Sequence, residues 1–206
     1  MDRQRYKNTY VVVRHGESTA NKQCIIVSSA AHALNSFGLT AKGTEQVLRN
    51  TLRSNLNCET LIVSSDFKRT LETAVVIGDL LNTNPVIADQ RLRERDFGNL
   101  ELKTHEFYPQ VWQEDENPSQ LKTHKVESVE SVLGRGLAVI ADLEQQHSGR
   151  LIALVGHGDV LQILLAYHAG LNPIYHRQLT PLDNAEIRSL LPSKSEYGKP
   201  NLAVCA

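Results

Sequence analysis

Several features that would assign the chain to a specialised class are missing from its sequence. The 206 residues include only three cysteines, Cys24, Cys58 and Cys205, and no Cys-x-x-Cys pair, so neither a disulfide framework nor a thiolate metal site is indicated. No apolar run approaches the length of a membrane span, and none of signal-peptide type follows the basic N-terminus. We therefore expect a cytoplasmic protein that does not bind membranes.

An excess of charge of either sign is missing as well. Lys and Arg total 22 against 23 Asp and Glu, which gives a net charge of −1. No global positive field exists to hold nucleic acid, so any anion site must be local. Repeats and low-complexity tracts are absent, and the length predicts one domain over residues 1–206, at roughly 100 to 200 residues per domain. Eight histidines are the one compositional surplus.

Hydrophobic periodicity predicts alternating strands and helices. Short β-branched or apolar runs predict strands at 10–13, 61–65, 85–88, 151–155 and 185–190. Apolar residues at spacings of three and four predict helices over 40–55, 67–81 and 126–146, with another from Gly158 onward. This alternation predicts an α/β fold, with three helix-sheet-helix layers and a mostly parallel central sheet.

The segment at about 99–125 interrupts the alternation. It carries the aromatic residues Phe107, Tyr108 and Trp112, an acidic run from Glu114 to Glu116, and two prolines. We interpret it as a small cap inserted over the sheet edge. Its aromatic side chains either cover the substrate site or form the hydrophobic underside of the cap, and the sequence leaves both interpretations open.

Polar residues follow three of the predicted strands. Arg14, His15 and Gly16 come after the first strand, Arg69 lies a few residues after the second, and His157 stands between two glycines after the strand at 151–155. Sites in open α/β sheets lie beyond the carboxyl ends of the strands, so these residues are expected to converge. The other histidines show no spacing typical of metal ligands.

This set of residues suits phosphoryl transfer without a metal or other cofactor. A neutral imidazole is a competent nucleophile, and the guanidinium groups of Arg14 and Arg69 match the oxygens of a phosphoryl group. His157 would add a donor, and the helix beginning near Gly158 would direct backbone N–H groups at the same anion.

Transfer from a phosphomonoester also requires a proton for the departing oxygen. Glu94, downstream of the strand at 85–88, is the candidate acid. It stands among Arg91, Arg93 and Arg95, whose charges would keep its pKa low unless burial opposes them. The sequence does not decide between these two effects.

Four motifs in this order resemble the histidine phosphatase superfamily, which includes the cofactor-dependent phosphoglycerate mutases. They are Arg14-His15-Gly16-Glu17-Ser18-Thr19-x-Asn21, Ser64-Ser65-x-x-x-Arg69-Thr70, Leu92-x-Glu94-x-x-x-Gly98 and Gly156-His157-Gly158. The resemblance extends through Asn184-Ala185-x-Ile187.

This resemblance implies a role for each motif residue. His15 would form a phosphohistidine, Arg14, Arg69 and His157 would hold the phosphoryl group, and Glu94 would protonate the leaving group. The resemblance also implies that Asn21 contacts phosphate or substrate near the rim of the pocket, and that Glu17 restrains the arginine and histidine cluster.

Within this family the sequence favours a phosphatase over a mutase. The separation of Glu94 and His157 resembles that of the compact phosphatases, and no adjacent arginine pair lies between them to bind a substrate carboxylate. Arg95 is mutase-like, whereas Leu102 stands where a glycine is common in the phosphatases.

We therefore expect a metal-independent phosphomonoesterase acting on small phosphorylated metabolites, with no nucleic-acid or membrane partner. A phosphoglycerate mutase-type activity and a non-catalytic module that binds phosphorylated ligands are the alternatives. The sequence leaves homodimer formation open.

Overall fold

A five-stranded sheet forms the centre of the computed structural model, which describes residues 6–83, 85–117 and 124–191. Cys205 and part of the predicted cap, residues 118–123, lie outside the described residues. The strands are β1 (Thr9–Arg14), β2 (Leu61–Ser64), β3 (Ile87–Ala88), β4 (Leu151–Gly156) and β5 (Ile187–Ser189). Their order in the sheet is β3-β2-β4-β1-β5, and only β5 runs antiparallel to its neighbour.

Seven α-helices connect or flank the strands in the described part of the chain. They are α1 (Thr19–Lys22), α2 (Ala30–Ala33), α3 (Ala41–Leu52), α4 (Lys68–Leu81), α5 (Tyr108–Glu116), α6 (Val129–Gln146) and α7 (Gly158–His168). The hydroxyls of Thr40 and Ser128 cap α3 and α6 by accepting a backbone N–H three residues on. Short 3-10 segments occur at Gln90–Leu92, Gly98–Leu100, His105–Phe107 and Pro173–Gln178.

Alternating side chains of the strands supply two separate cores. Val12, Val63 and Leu154 point to the face covered by α6 and α7, while Val13 and Ile62 point to the face covered by α3 and α4. Both faces of the central strands are therefore buried, as is usual for parallel sheets. The predicted three-layer α/β fold with a mostly parallel sheet is confirmed.

The structure departs from the predicted elements mainly near the site. The predicted strand at 85–88 is reduced to two residues at the sheet edge, where Ile87 is exposed. Helices α1 and α2 and the 3-10 segments have no apolar periodicity and were not predicted. Within the segment read as a cap, the described residues form a 3-10 turn followed by α5. None of the helices in the described ranges is long and apolar enough to cross a membrane.

Candidate active site

Three parallel strands bring the predicted residues to one edge of the sheet. Strand β4 lies between β1 and β2, so the loops that follow these three strands are neighbours. Backbone hydrogen bonds fix their relative height, with His15 N donating to Gly156 O at 3.1 Å and Ser65 N donating to Val155 O at 3.0 Å. The predicted convergence of the strand ends therefore follows directly from the register of the sheet.

A cavity of about 230 Å³ opens at this edge. Four of the residues predicted from the strand-end motifs line it: Arg14, His15, Arg69 and Glu94. The predicted substrate-binding residues Asn21 and Gly158 line it too, whereas His157 lies behind His15 and is not in the wall. The remaining lining residues are Ser18, Ala20, Ile25, Val27, His105, Tyr108, Trp112, Asp159, Arg177, Pro181 and Leu182.

The side chain of His15 is held in one tautomer. Its Nδ1 lies 2.7 Å from the carbonyl oxygen of Gly16, which can only accept, so Nδ1 carries the proton. Arg69 Nε then donates to the lone pair of His15 Nε2 at 3.1 Å. Burial, reinforced by the charges of Arg69 and Arg14, lowers the pKa of His15 well below its usual range. His15 is therefore a neutral imidazole whose Nε2 carries a lone pair, which accepts the hydrogen bond from Arg69.

The backbone of His15 is fixed from the far end of the chain. Its carbonyl oxygen accepts from Ala185 N at 3.1 Å and from Asn184 Nδ2 at 3.2 Å. Ala185 adopts a left-handed conformation, with φ of 60°, and its own carbonyl accepts from Asn50 Nδ2. The Asn184-Ala185 turn before β5 thus positions the imidazole without touching its ring.

Three buried nitrogen donors at the site have no hydrogen-bond partner among the residues that the structure describes. They are Arg14 Nε, Arg69 Nη1 and His157 Nδ1. Other donors of the two arginines are already used: Arg14 Nη1 donates to Leu182 O, Arg69 Nη2 donates to Val27 O, and Arg69 Nε donates to His15 Nε2. Burial lowers the pKa of Arg69 to about 10, which leaves its guanidinium charged at neutral pH. Unpaired buried donors are costly, and an anion would satisfy all three.

The donor role of His157 follows from its partner Ser65. Ser65 Oγ accepts from Phe67 N at 3.3 Å and lies 2.9 Å from His157 Nε2, and we assign its hydroxyl hydrogen to a bond with that nitrogen. The proton of the neutral ring is then on Nδ1, the unpartnered atom. Burial first, and then Arg69 and His15, lower the pKa of His157 well below its usual range. Its ring stands 5.3 Å from that of His15.

Helix α7 begins at this point with no side-chain cap. His157 occupies the N-cap position, and Gly158 is the first helical residue. The backbone N–H groups of that first turn have no intrahelical partner, so they and the helix dipole favour an anion in the same place. A Cβ on Gly158 would lie 3.8 Å from Glu94 Oε2, which places the carboxyl beside the start of α7.

The pKa of Glu94 is raised above its usual range. Burial is the main cause and the charge of Asp159 the next, while Arg69 and Arg14 act in the opposite direction. The carboxyl retains partial exposure through the cavity that it lines. Burial therefore prevails over the neighbouring arginines, and this carboxyl can hold a proton that it could deliver to a leaving group.

The arginines next to Glu94 in sequence do not pair with it because each has another carboxylate. Arg91 pairs with Asp89 and Asp142, Arg93 pairs with Asp66, and Arg95 makes a bidentate pair with Asp115 at 2.6 and 2.7 Å. Arg95 is fully buried, is not in the cavity wall, and also donates to Glu127 O at 2.7 Å. The structure thus resolves the question that the sequence left open.

Two further residues of the first motif take different positions. Asn21 lines the cavity, and its Oδ1 is used by Ser18 N and Ser18 Oγ in a capping box, so its amide N–H₂ is the group left for a ligand. The expectation for Glu17 is wrong. Its carboxylate binds Thr40 Oγ1 at 2.9 Å and Lys42 Nζ at 2.7 Å on α3, because the chain turns outward after Gly16.

The aromatic residues of the predicted cap, which lie in α5 and in the 3-10 segment before it, divide between the two interpretations. Tyr108 and Trp112 line the cavity, stacked with ring centroids 5.4 Å apart, whereas Phe107 packs against the core below. Trp112 Nε1 donates to both carboxylate oxygens of Asp159, at 3.2 and 3.1 Å. Arg177, which was not predicted, places its guanidinium 3.7 Å from the Trp112 ring centroid.

His105 at the rim was also missed, since it was read as an ordinary histidine. Neither His105 nor Arg177 carries a signal in sequence, because both lie in short 3-10 segments without periodicity. Across residues 6–83, 85–117 and 124–191, no group of three or more His, Cys, Asp and Glu side chains has the arrangement of a metal site.

Comparison with known proteins identifies the family. The sequence matches the histidine phosphatase superfamily (branch 1) over residues 10–199. The probable phosphoglycerate mutase GpmB of Enterobacter sp. strain 638 is 32% identical over 184 residues, which cover 85% of this chain and 81% of that protein. Glucosyl-3-phosphoglycerate phosphatase of Mycolicibacterium vanbaalenii is 30% identical over 175 residues, which cover 78% of this chain and 74% of that protein.

Solved structures agree with this assignment. The native structure of a mycobacterial glucosyl-3-phosphoglycerate phosphatase matches with a TM-score of 0.70 and 26% identity, covering 87% of each chain. The complex of a mycobacterial glucosyl-3-phosphoglycerate phosphatase with inorganic phosphate matches with a TM-score of 0.67 at 26% identity, again over 87% of each chain. Together with the match over residues 10–199, these results confirm the resemblance found in the motifs. The chain belongs to the histidine phosphatase superfamily.

Proposed function

We propose that this protein hydrolyses phosphomonoesters of small metabolites through a phosphohistidine on His15, without a metal ion. One observation carries the proposal. The unpartnered donors Arg14 Nε, Arg69 Nη1 and His157 Nδ1 are buried at the same site as the Nε2 lone pair of a neutral histidine. This combination offers a phosphoryl group both its binding donors and its nucleophile.

In the first step, His15 Nε2 attacks phosphorus and the bond from phosphorus to the ester oxygen breaks. Glu94 gives its proton to that oxygen, so the alcohol departs neutral. Arg69 Nε loses its acceptor as the nitrogen–phosphorus bond forms, and it then donates to a phosphoryl oxygen instead. In the second step, Glu94 takes a proton from water, the water oxygen bonds to phosphorus, and the phosphohistidine bond breaks to release phosphate.

The mutase alternative is favoured by the mutase-like Arg95 and by the names of several relatives, which include the probable phosphoglycerate mutase of Enterobacter. A mutase would return the phosphoryl group to a second substrate hydroxyl instead of water. With 3-phosphoglycerate as substrate, we expect release of phosphate to be faster than isomerisation, because no adjacent arginine pair stands between Glu94 and His157 to retain the bound carboxylate. Faster isomerisation would identify a mutase instead.

The basic test is hydrolysis of p-nitrophenyl phosphate in the presence of EDTA. We expect phosphate release by the wild-type protein and its loss in His15→Ala. His147→Ala is a matched control, since His147 lies outside the cavity at the end of α6. Undiminished turnover in His15→Ala would refute the proposal, and absence of turnover in the wild type would favour a module that only binds phosphorylated ligands.

The acid role of Glu94 has a separate test. Glu94→Gln removes the proton but keeps the size of the side chain, so esters with poor leaving groups should slow by about 10²–10⁴-fold. p-Nitrophenyl phosphate, whose leaving group needs little protonation, should slow much less. Equal slowing of alkyl and aryl esters would contradict an acid role for Glu94.

A further inference from the structure

Arg177 lines the same cavity as His15, but the phosphoryl chemistry does not use it. Its guanidinium is held over the Trp112 ring, and its Nη1 lies 3.7 Å from Asp159 Oδ1, too far for a hydrogen bond. No hydrogen bond joins this guanidinium to any other residue within the described ranges. Its N–H groups are therefore positioned by stacking and remain available to a ligand.

Asp159 places an acceptor beside these donors. Its side chain is only 4% exposed, and the part that is accessible forms wall of the same cavity. Trp112 Nε1 donates to it and Arg95 Nη1 donates to its Oδ2 at 3.5 Å, while the guanidinium of Arg177 stays at 3.7 Å. A carboxylate accepts up to about four hydrogen bonds, so Asp159 retains acceptor capacity toward the cavity.

The charges around this part of the cavity already balance. Arg95 and Arg177 are matched by Asp115 and Asp159. In the phosphoryl site, two arginines match a phosphate dianion, and the raised pKa of Glu94 favours its neutral form. A leaving group with its own charge would bring an uncompensated charge into a largely buried pocket, which is costly.

Hydroxyl groups fit this environment better than a charge does, because each hydroxyl both donates and accepts. Size adds a second restriction. The cavity of about 230 Å³ is smaller than the roughly 300–1,000 Å³ of pockets for drug-sized ligands, and it must also hold the phosphoryl group. Building on the phosphatase function above, we propose that Arg177 and Asp159 bind the hydroxyl groups of a small, uncharged polyol or sugar leaving group.

Three matched substrates test this inference. sn-Glycerol 3-phosphate carries two hydroxyls, propyl phosphate carries none, and 3-phosphoglycerate replaces one hydroxymethyl group with a carboxylate. We expect kcat/KM for glycerol 3-phosphate to exceed those of the other two by about tenfold or more, since a site built for hydroxyls rejects analogues that lack them. Preference for 3-phosphoglycerate, or equal values for glycerol 3-phosphate and propyl phosphate, would overturn the inference.

Two substitutions assign the preference to named residues. In Arg177→Met, the ratio of kcat/KM for glycerol 3-phosphate to that for propyl phosphate should fall about tenfold. In Asp159→Asn, the ratio for 3-phosphoglycerate to glycerol 3-phosphate should rise, because the charge of Arg177 is no longer balanced. Any change that Asp159→Asn causes at Glu94 affects both substrates and cancels in the ratio.

The control is Arg53→Met, which removes an exposed arginine at the end of α3, away from the cavity. It should keep the wild-type ratios. Unchanged ratios in both Arg177→Met and Asp159→Asn would refute the leaving-group site alone. The phosphatase function itself stands or falls with His15→Ala on p-nitrophenyl phosphate, so the two failures are distinguishable.

Discussion

The buried ion pair between Arg95 and Asp115 ties the loop of Glu94 to helix α5, and Asp115→Asn is expected to loosen both. Arg95 has a fully buried side chain, and Asp115 is 5% exposed. The substitution removes the negative charge and one of two charge-assisted hydrogen bonds, at 2.6 and 2.7 Å, while Glu127 O remains as a partner of Arg95. Removing one member of a buried pair costs about 3–5 kcal/mol.

The retained carbonyl contact places the expected loss at the lower end of that range, about 3 kcal/mol. For a protein of this size, each kcal/mol lowers Tm by roughly 2–4 °C, so thermal unfolding should shift by about 6–12 °C. Asp142→Asn is the matched control. It pairs with Arg91 near the surface, where the Asp142 side chain is 47% exposed, and surface pairs contribute at most about 1 kcal/mol.

Denaturant unfolding of the two variants gives the comparison directly. If Asp115→Asn lowered the free energy of unfolding no more than Asp142→Asn, the reasoning from burial would be refuted. Replacing both partners with apolar residues, as in Arg95→Met with Asp115→Leu, should recover much of the stability because no buried charge is left unpaired. If the double variant lost as much free energy of unfolding as the two single variants together, the reasoning from burial would also be contradicted.

Three further predictions concern pH and backbone conformation. The pKa of Glu94 is raised, so kcat/KM should fall as pH rises through it; the pKa of His15 is lowered, so the acid limb of the profile should lie below pH 6.5. Glu94→Gln should abolish the alkaline limb, and an alkaline limb that persists in this variant on the same substrate would contradict the assignment to Glu94. Leu102 is exposed and adopts φ of 61°, so Leu102→Gly should raise the free energy of unfolding by about 0.5–1 kcal/mol, whereas Leu102→Ala, which keeps a Cβ, should not. Gly43→Ala should destabilise the protein because the new Cβ would overlap Glu17 O. Gly134→Ala, in open space within α6, should instead stabilise it by about 0.5–1 kcal/mol. Thermal melts that rank the two variants the other way would contradict this steric explanation.

Local patterns were sufficient to predict the scaffold and the edge of the sheet at which the motif residues meet. The run Leu151–Val155 is apolar throughout because both faces of the sheet are covered. Sites in open α/β sheets lie beyond the carboxyl ends of the strands, and this places His15 and His157 together. Leu102, which departs from the motif of the family, marks a position with an unusual backbone conformation. It stands where the resemblance expects glycine, and the backbone there is left-handed, as glycine would favour.

The sequence could not predict which distant residues pair with each other, and two features of the site depend on such pairings. Burial and Asp159 raise the pKa of Glu94, while Asp66, Asp115 and Asp142 pair with the neighbouring arginines. Arg177 belongs to the cavity because it stacks on Trp112, from a segment with no periodic pattern. Spacing along the chain carries no information about such pairings, since they form only when the sheet and α5 are assembled.

The contacts to the carbonyl of His15 have a consequence for synthesis of the protein. Strand β1 emerges first from the ribosome, yet its two neighbours in the sheet are β4 and β5, the last strands described. The donors Asn184 and Ala185 also come after every other part of the site. A nascent chain therefore carries His15 for most of its synthesis without a site around it. Assembly of the site depends on the late pairing of β1 with β4 and β5, which are distant in sequence, and such long-range pairing is slow. We therefore expect the chain to gain activity only when nearly all of it has folded.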